Sequence, residues 1–135
     1  MPNAAQPAYV LAFDFGLKHI GVAVGQTITG TASPLTTLRA NDGRLSRGAS
    51  KTLRGLLSDY QPAHLVVGKP LNMDGTRLAM TRHAETFADT LAKLADRPVH
   101  MTDERLTTYA TGAARDSHDQ AAVLIAEQWL REQAQ

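Results

Sequence analysis

Asp14 stands in the run Val10-Leu11-Ala12-Phe13-Asp14-Phe15, one carboxylate among five apolar side chains. Desolvating an unpaired carboxylate costs several kcal/mol even after relaxation. A cation, a metal ion or backbone N–H groups must therefore compensate it. Gly16 follows at once and lets the chain turn back without a Cβ above the acid. The pattern presents a carboxylate at the end of a hairpin, which suits a metal or phosphate site. The competing reading is an Asp that caps the turn.

Two further acidic groups have the same placement at the end of an apolar segment. Asp103-Glu104-Arg105 follows Pro98–Thr102, and Asp116 and Asp119 flank the start of the last helical segment. Three carboxylates from three separate elements are what Mg²⁺ or Mn²⁺ requires: hard oxygen ligands, retained waters and room for a phosphate. Two such ions about 4 Å apart activate a water and stabilise the leaving oxygen of a phosphodiester. Taken singly, each acid also has a plain structural reading. Asp103-Glu104 fits an exposed turn, and Asp116 and Asp119 fit the charges preferred at a helix N-terminus.

The elements that must position these acids follow from periodicity. Val10–Phe15 and Ile20–Val24 read as paired strands, and Gly30–Leu38 as a third in which Pro34 demands an edge or a bulge. Asp42–Tyr60 has helical spacing through Leu45, Ala49, Leu53, Leu56 and Tyr60, and Pro62 stops it. His64–Gly68 is a short apolar run suited to a strand buried on both faces. Pro70–Arg77 reads as a loop, with Asp74 a turn former and Gly75 at positive φ. A second helix carries Met80, Ala84, Phe87, Leu91 and Leu94 on one side, Pro98–Thr102 is a strand, and Gln120–Arg131 is the last helix. Phe87 and Trp129 have core spacing. The order predicts an α/β fold: one mixed sheet, first an antiparallel three-strand meander, then two parallel strands reached through helical crossovers.

The chain of 135 residues has the length of one domain, 9–135, with residues 1–8 a polar tail that lacks the apolar core of a signal peptide. Its 43% hydrophobic and 20% charged content is that of a globular protein, and no apolar run reaches the roughly 20 residues that span a bilayer. The absence of cysteine excludes disulfides and thiolate metal sites and fits a cytoplasmic setting. A net charge of +1 means that any nucleic-acid surface is local. Arg44, Arg47, Lys51 and Arg54 step by three, four and three, which on a helix makes a basic stripe. That stripe is either a solvated face or a track for phosphates. Lys69 and Arg105 are further candidates for phosphate contact.

Together these segments resemble the YqgF family, also called RuvX, of RNase H-like proteins. The resemblance is carried by Phe13-Asp14-Phe15-Gly16 with Lys18, Ile20-Gly21-Val22-Ala23, Ala32-Ser33-Pro34-Leu35 and Val66 to Gly75. It continues through Asp103-Glu104-Arg105-Leu106-Thr107-Thr108 and Ala121 to Ile125. It implies an RNase H-like five-stranded sheet and a metal-dependent nuclease with Mg²⁺ or Mn²⁺. Two roles are attached to the family: maturation of the 5′ end of pre-16S ribosomal RNA, and resolution of four-way DNA junctions. The implied partners are structured RNA such as precursor ribosomal particles, or branched DNA, with no membrane. Monomer and homodimer both remain open.

The family's acidic positions fall on Asp14, on Glu104 and on an Asp just before Ala121-Ala122. Relatives place that third Asp where this chain has His118, so Asp119 is one position late and Asp116 two early. Asp119 is the expected third ligand, with Asp116 and His118 the alternatives. The connection from Thr108 to Ser117 is also shorter than relatives have. Two other classes compete with the nuclease. A binding factor with a degraded active site would explain the third-acid anomaly. Asp-x-Gly also opens actin-like and sugar-kinase domains, but those enclose a nucleotide between two domains, and this chain has length for one.

Overall fold

The computed structural model describes residues 8–72, 74–105 and 117–134. The tail residues 1–7 lie outside the described residues. The β-branched and aromatic runs form six strands: β1 Tyr9–Asp14, β2 His19–Gln26, β3 Thr31–Asn41, β4 Arg44–Leu45, β5 His64–Leu71 and β6 Val99–Arg105. The helical spacings form α1 Arg47–Tyr60, α2 Ala79–Ala95 and α3 His118–Gln133. The sheet order is β4-β3-β2-β1-β5-β6. β1 to β4 pair antiparallel in sequence, while β5 runs parallel to β1 and β6 parallel to β5.

β1 is covered on both faces because its alternate side chains face two separate cores. Leu11 and Phe13 join Leu53 of α1 and Ala84, Phe87 and Leu91 of α2. Val10 and Ala12 join Ile125, Ala126, Trp129 and Leu130 of α3. Strand parity then puts Asp14, next after Ala12 on that face, on the α3 side of the sheet. Phe87 and Trp129 are both buried, as their spacing required.

Several boundaries differ from the sequence-based expectation. There are six strands rather than five, because Asp42-Gly43 is a tight turn with φ of 51° and 83°. Positive φ at both central residues is the type I′ pattern that matches strand twist, so β4 pairs back on β3 through Asn41↔Arg44. The first helix accordingly begins at Arg47, not Asp42, and Ser46 Oγ caps it by accepting from Ala49 N at 3.1 Å. Pro34 behaves as expected. Val22 pairs with Thr36 and Ala23 with Pro34, so the register shifts at that point of the β2–β3 ladder. β5 extends through Pro70 to Leu71, and β6 extends through Glu104 to Arg105, so the Asp103-Glu104 pair lies within a strand. The turn at 74–76 is as read: Thr76 N donates to Asp74 Oδ1 at 2.9 Å and Gly75 has φ 88°.

Candidate active site

The three parallel strands β1, β5 and β6 carry their C-terminal ends to the same edge of the sheet. Asp14 closes β1, and Glu104 sits one residue before the end of β6, opposite Pro70 of β5. Strand alternation separates the two acids of β6: Asp103 is exposed, while Glu104 is half-buried. Gly68, in the intervening strand, has no side chain between them. A Cβ there would meet Glu104 Cγ at 3.0 Å and Ile125 Cδ1 of α3 at 2.6 Å.

The electrostatics of the pair follow from this placement. Burial pushes the Asp14 carboxyl up to about 6. Burial also raises Glu104, to about 7, and the neighbouring Asp14 charge adds to that rise. Among the described residues, the basic group within ion-pair range of Asp14 is His118, whose Nδ1 lies 3.9 Å from Asp14 Oδ2 and whose side chain is 50% exposed. Two desolvated carboxylates that repel one another concentrate negative potential at this edge, which a hard divalent cation would neutralise.

The third expected ligand is placed differently. α3 begins at His118, and its first turn lies directly over Gly21, the register partner of Asp14. A Cβ on Gly21 would fall 1.9 Å from His118 O and 2.6 Å from Asp119 N, so only glycine lets the helix start this close to Asp14. The residue brought to Asp14 is thus His118. Asp119 stands in the first turn, next to the Ser117 cap that accepts from Gln120 N at 3.3 Å, where its charge favours the helix dipole. No group of three His, Asp or Glu side chains able to hold a metal is assembled among the described residues, so Asp14, Glu104 and Asp119 are not gathered as a trio. Asp116 and the 108–117 connection up to Ser117 lie outside the described residues.

His19 was not singled out in the sequence. Its ring stacks on His118 with centroids 5.1 Å apart and planes at 21°, which fixes the imidazole plane beside Asp14. The signal for this corner was Gly21, a glycine inside a strand pattern, which marks close approach of another backbone.

The basic candidates divide. Arg47, Lys51 and Arg54 are exposed on α1, whereas Arg44 belongs to β4 and is not part of a helical stripe. Lys69 Nζ lies 3.3 Å from Glu85 Oε2, and Arg77 holds the same carboxylate in a bidentate pair, so Lys69 is already engaged. Arg105 ends β6, and its side chain lies outside the described residues.

Comparison with known proteins identifies the family. Across residues 8–132 the chain matches the RuvX family model, described as Holliday junction resolvase. A Marinobacter nauticus protein named "Putative pre-16S rRNA nuclease" is 44% identical over 93% of this chain and 94% of its own length. A Coxiella burnetii protein of the same name is 43% identical over 98% of both. In three dimensions the fold is similar to that of T. thermophilus RuvC in complex with Holliday junction substrate, with a TM-score of 0.60 at 15% identity, covering 94% of this chain and 96% of the other. The RNase H-like sheet ending in Asp14 and Glu104 is thus set in a sequence that matches one family from its first described strand to its last helix, and the chain belongs to the RuvX family.

Proposed function

We propose that the protein is a divalent-metal-dependent nuclease that hydrolyses phosphodiester bonds in structured RNA, with the 5′ end of pre-16S ribosomal RNA as its substrate. One observation carries the reading. Two carboxylates stand at the C-terminal edge of the parallel strands β1, β5 and β6, both raised above their ordinary range, with Glu104 raised in part by Asp14. A fold gains nothing in stability from such a pair, which makes a functional role the economical explanation. Sequence similarity to proteins named for pre-16S rRNA supports the choice of substrate.

Asp14 and Glu104 would hold Mg²⁺ or Mn²⁺, with His118 as the adjacent nitrogen donor. When bound, the ion supplies Lewis acidity for the scissile phosphate and lowers the pKa of an attacking water. The chain's own residues do the rest. Phe13 and Phe15, the neighbours of Asp14 in sequence, pack on Phe87 in the core of the opposite face and so hold the end of β1 in place. His19 holds the plane of His118, and the exposed cations of α1 attract the phosphate backbone without reading bases. No helix among the described residues is long and apolar enough to cross a membrane, which is compatible with a cytoplasmic setting.

The test compares precursor 16S rRNA, a four-way DNA junction and single-stranded controls, each with Mg²⁺, Mn²⁺ or chelator. Metal-dependent cleavage of the precursor alone is expected. Cleavage confined to the junction would move the substrate to branched DNA, the activity in the family description. Among the described residues no third carboxylate joins Asp14 and Glu104, which favours a second reading, a nucleic-acid-binding factor that does not cleave. Tight RNA binding with no cleavage under any metal would establish that alternative.

A further inference from the structure

On the sheet face opposite the carboxylates, a groove of about 810 Å³ opens between α1, α2 and the β3–β4 hairpin. Its walls carry Arg44, Arg54 and His83 against one acid, Asp42, while Phe87 and Leu94 supply an apolar floor and Thr90 a hydroxyl. Arg54 also borders a smaller recess of about 290 Å³ that contains Arg97, so the basic lining continues along α1. The volume is that of a small-ligand site, and basic walls over an apolar floor match a phosphate joined to a planar base.

This groove is tied to the catalytic edge through the residue after Asp14. Phe15 packs on Phe87 with centroids 5.5 Å apart, and it lies against Gly43, where an added Cβ would come within 2.8 Å of the ring. Gly43 N donates to Leu17 O at 2.9 Å and Ala40 N to Lys18 O at 2.8 Å, pinning the β1–β2 turn to the hairpin that forms the groove wall. We infer that the groove is a second nucleotide subsite, taking one nucleoside monophosphate unit of the substrate strand as that strand passes around the end of β1. The inference rests on the nuclease reading, because it assigns the unit to the strand being cut. It also separates Arg44 and Arg54, which line the groove, from Arg47 and Lys51, which do not.

Backbone amide NMR of the metal-free protein tests it, with AMP, inorganic phosphate and a short single-stranded RNA as separate probes. AMP and RNA should shift residues 41–54 and 83–94, with inorganic phosphate weaker by at least about tenfold for want of a base. Shifts with RNA but not AMP would also support the subsite, as one that needs the continuous strand. The double variant Arg44→Ala/Arg54→Ala should weaken AMP or RNA binding at least about tenfold. Thr90→Trp, an exposed position, should fill the groove and abolish the shifts, with Arg54→Glu as a second variant if it folds poorly. Groove shifts that survive Thr90→Trp, equal binding of phosphate and AMP, or no groove shift with any probe would each overturn the subsite. Asp14→Asn should leave these shifts intact while cleavage falls. Cleavage retained in that variant would count against the nuclease site and leave the groove standing.

Discussion

Asp14 carries the site and is the first residue to replace. Asp14→Asn nearly preserves volume and removes the charge on which metal binding depends. Nuclease activity should fall at least about a hundredfold, roughly 2.7 kcal/mol of transition-state stabilisation, measured on precursor RNA with Mn²⁺. The same change should raise the melting temperature without metal, because it ends the repulsion that Glu104 feels. The pH dependence has a definite sign. Both acids titrate higher in the folded protein, about 6 and about 7, than their ordinary values of 3.8 and 4.5, so the folded state holds protons that the unfolded chain has released. The stability present below the unfolded values is therefore lost as pH rises through the folded ones. Metal-free melting temperature should fall on the order of 5 °C from about pH 5 to about pH 8, and Asp14→Asn should flatten the curve. Beside Asp14, His118→Asp should tighten Mn²⁺ binding about tenfold by calorimetry, since it restores a hard oxygen donor where the structure puts an imidazole.

At the scale of elements, the site depends on how closely α3 approaches β2. Gly21→Ala would force its Cβ into the backbone of His118 and Asp119, atoms that cannot rotate away. Chemical denaturation should show a loss of about 3 kcal/mol or more, with Mn²⁺ affinity lost in parallel. α1 offers a different measurement. Replacing Arg47 and Lys51 with alanine should weaken RNA binding and reduce its dependence on log salt by up to about two counterions' worth of slope. An unchanged slope would identify these residues as a solvated face. The β3–β4 hairpin shows how a legible signal was missed. Asp-Gly is a strong short-range hairpin signal, yet Leu45 falls in helical register with Ala49 and Leu53, and the longer period masked the turn.

For the whole molecule, divalent metal should act as a stabilising ligand. Anything that binds the folded state alone raises stability with concentration, by about 2.7 kcal/mol at a hundred times its Kd. Mn²⁺ should therefore raise the melting temperature of the wild-type protein and leave Asp14→Asn unmoved, and a chelator should reverse the gain. The sequence by itself determined the mixed sheet, the two-sided burial of β5, the core placement of Phe87 and Trp129, and the candidacy of Asp14 and of the Asp103-Glu104 pair. These properties live in alternation and helical spacing, local patterns that survive without knowledge of the partner. Only the tertiary structure decided which of Asp103 and Glu104 faces the site, because parity matters only once the strand's end is known. It alone brought His118 rather than Asp119 to Asp14, since one step along a helix turns a side chain by about 100° and the helix start is fixed by contact with Gly21. It also took Arg44 off the helix and tied Lys69 to Glu85, a pairing between a strand and a helix that no spacing along the chain encodes.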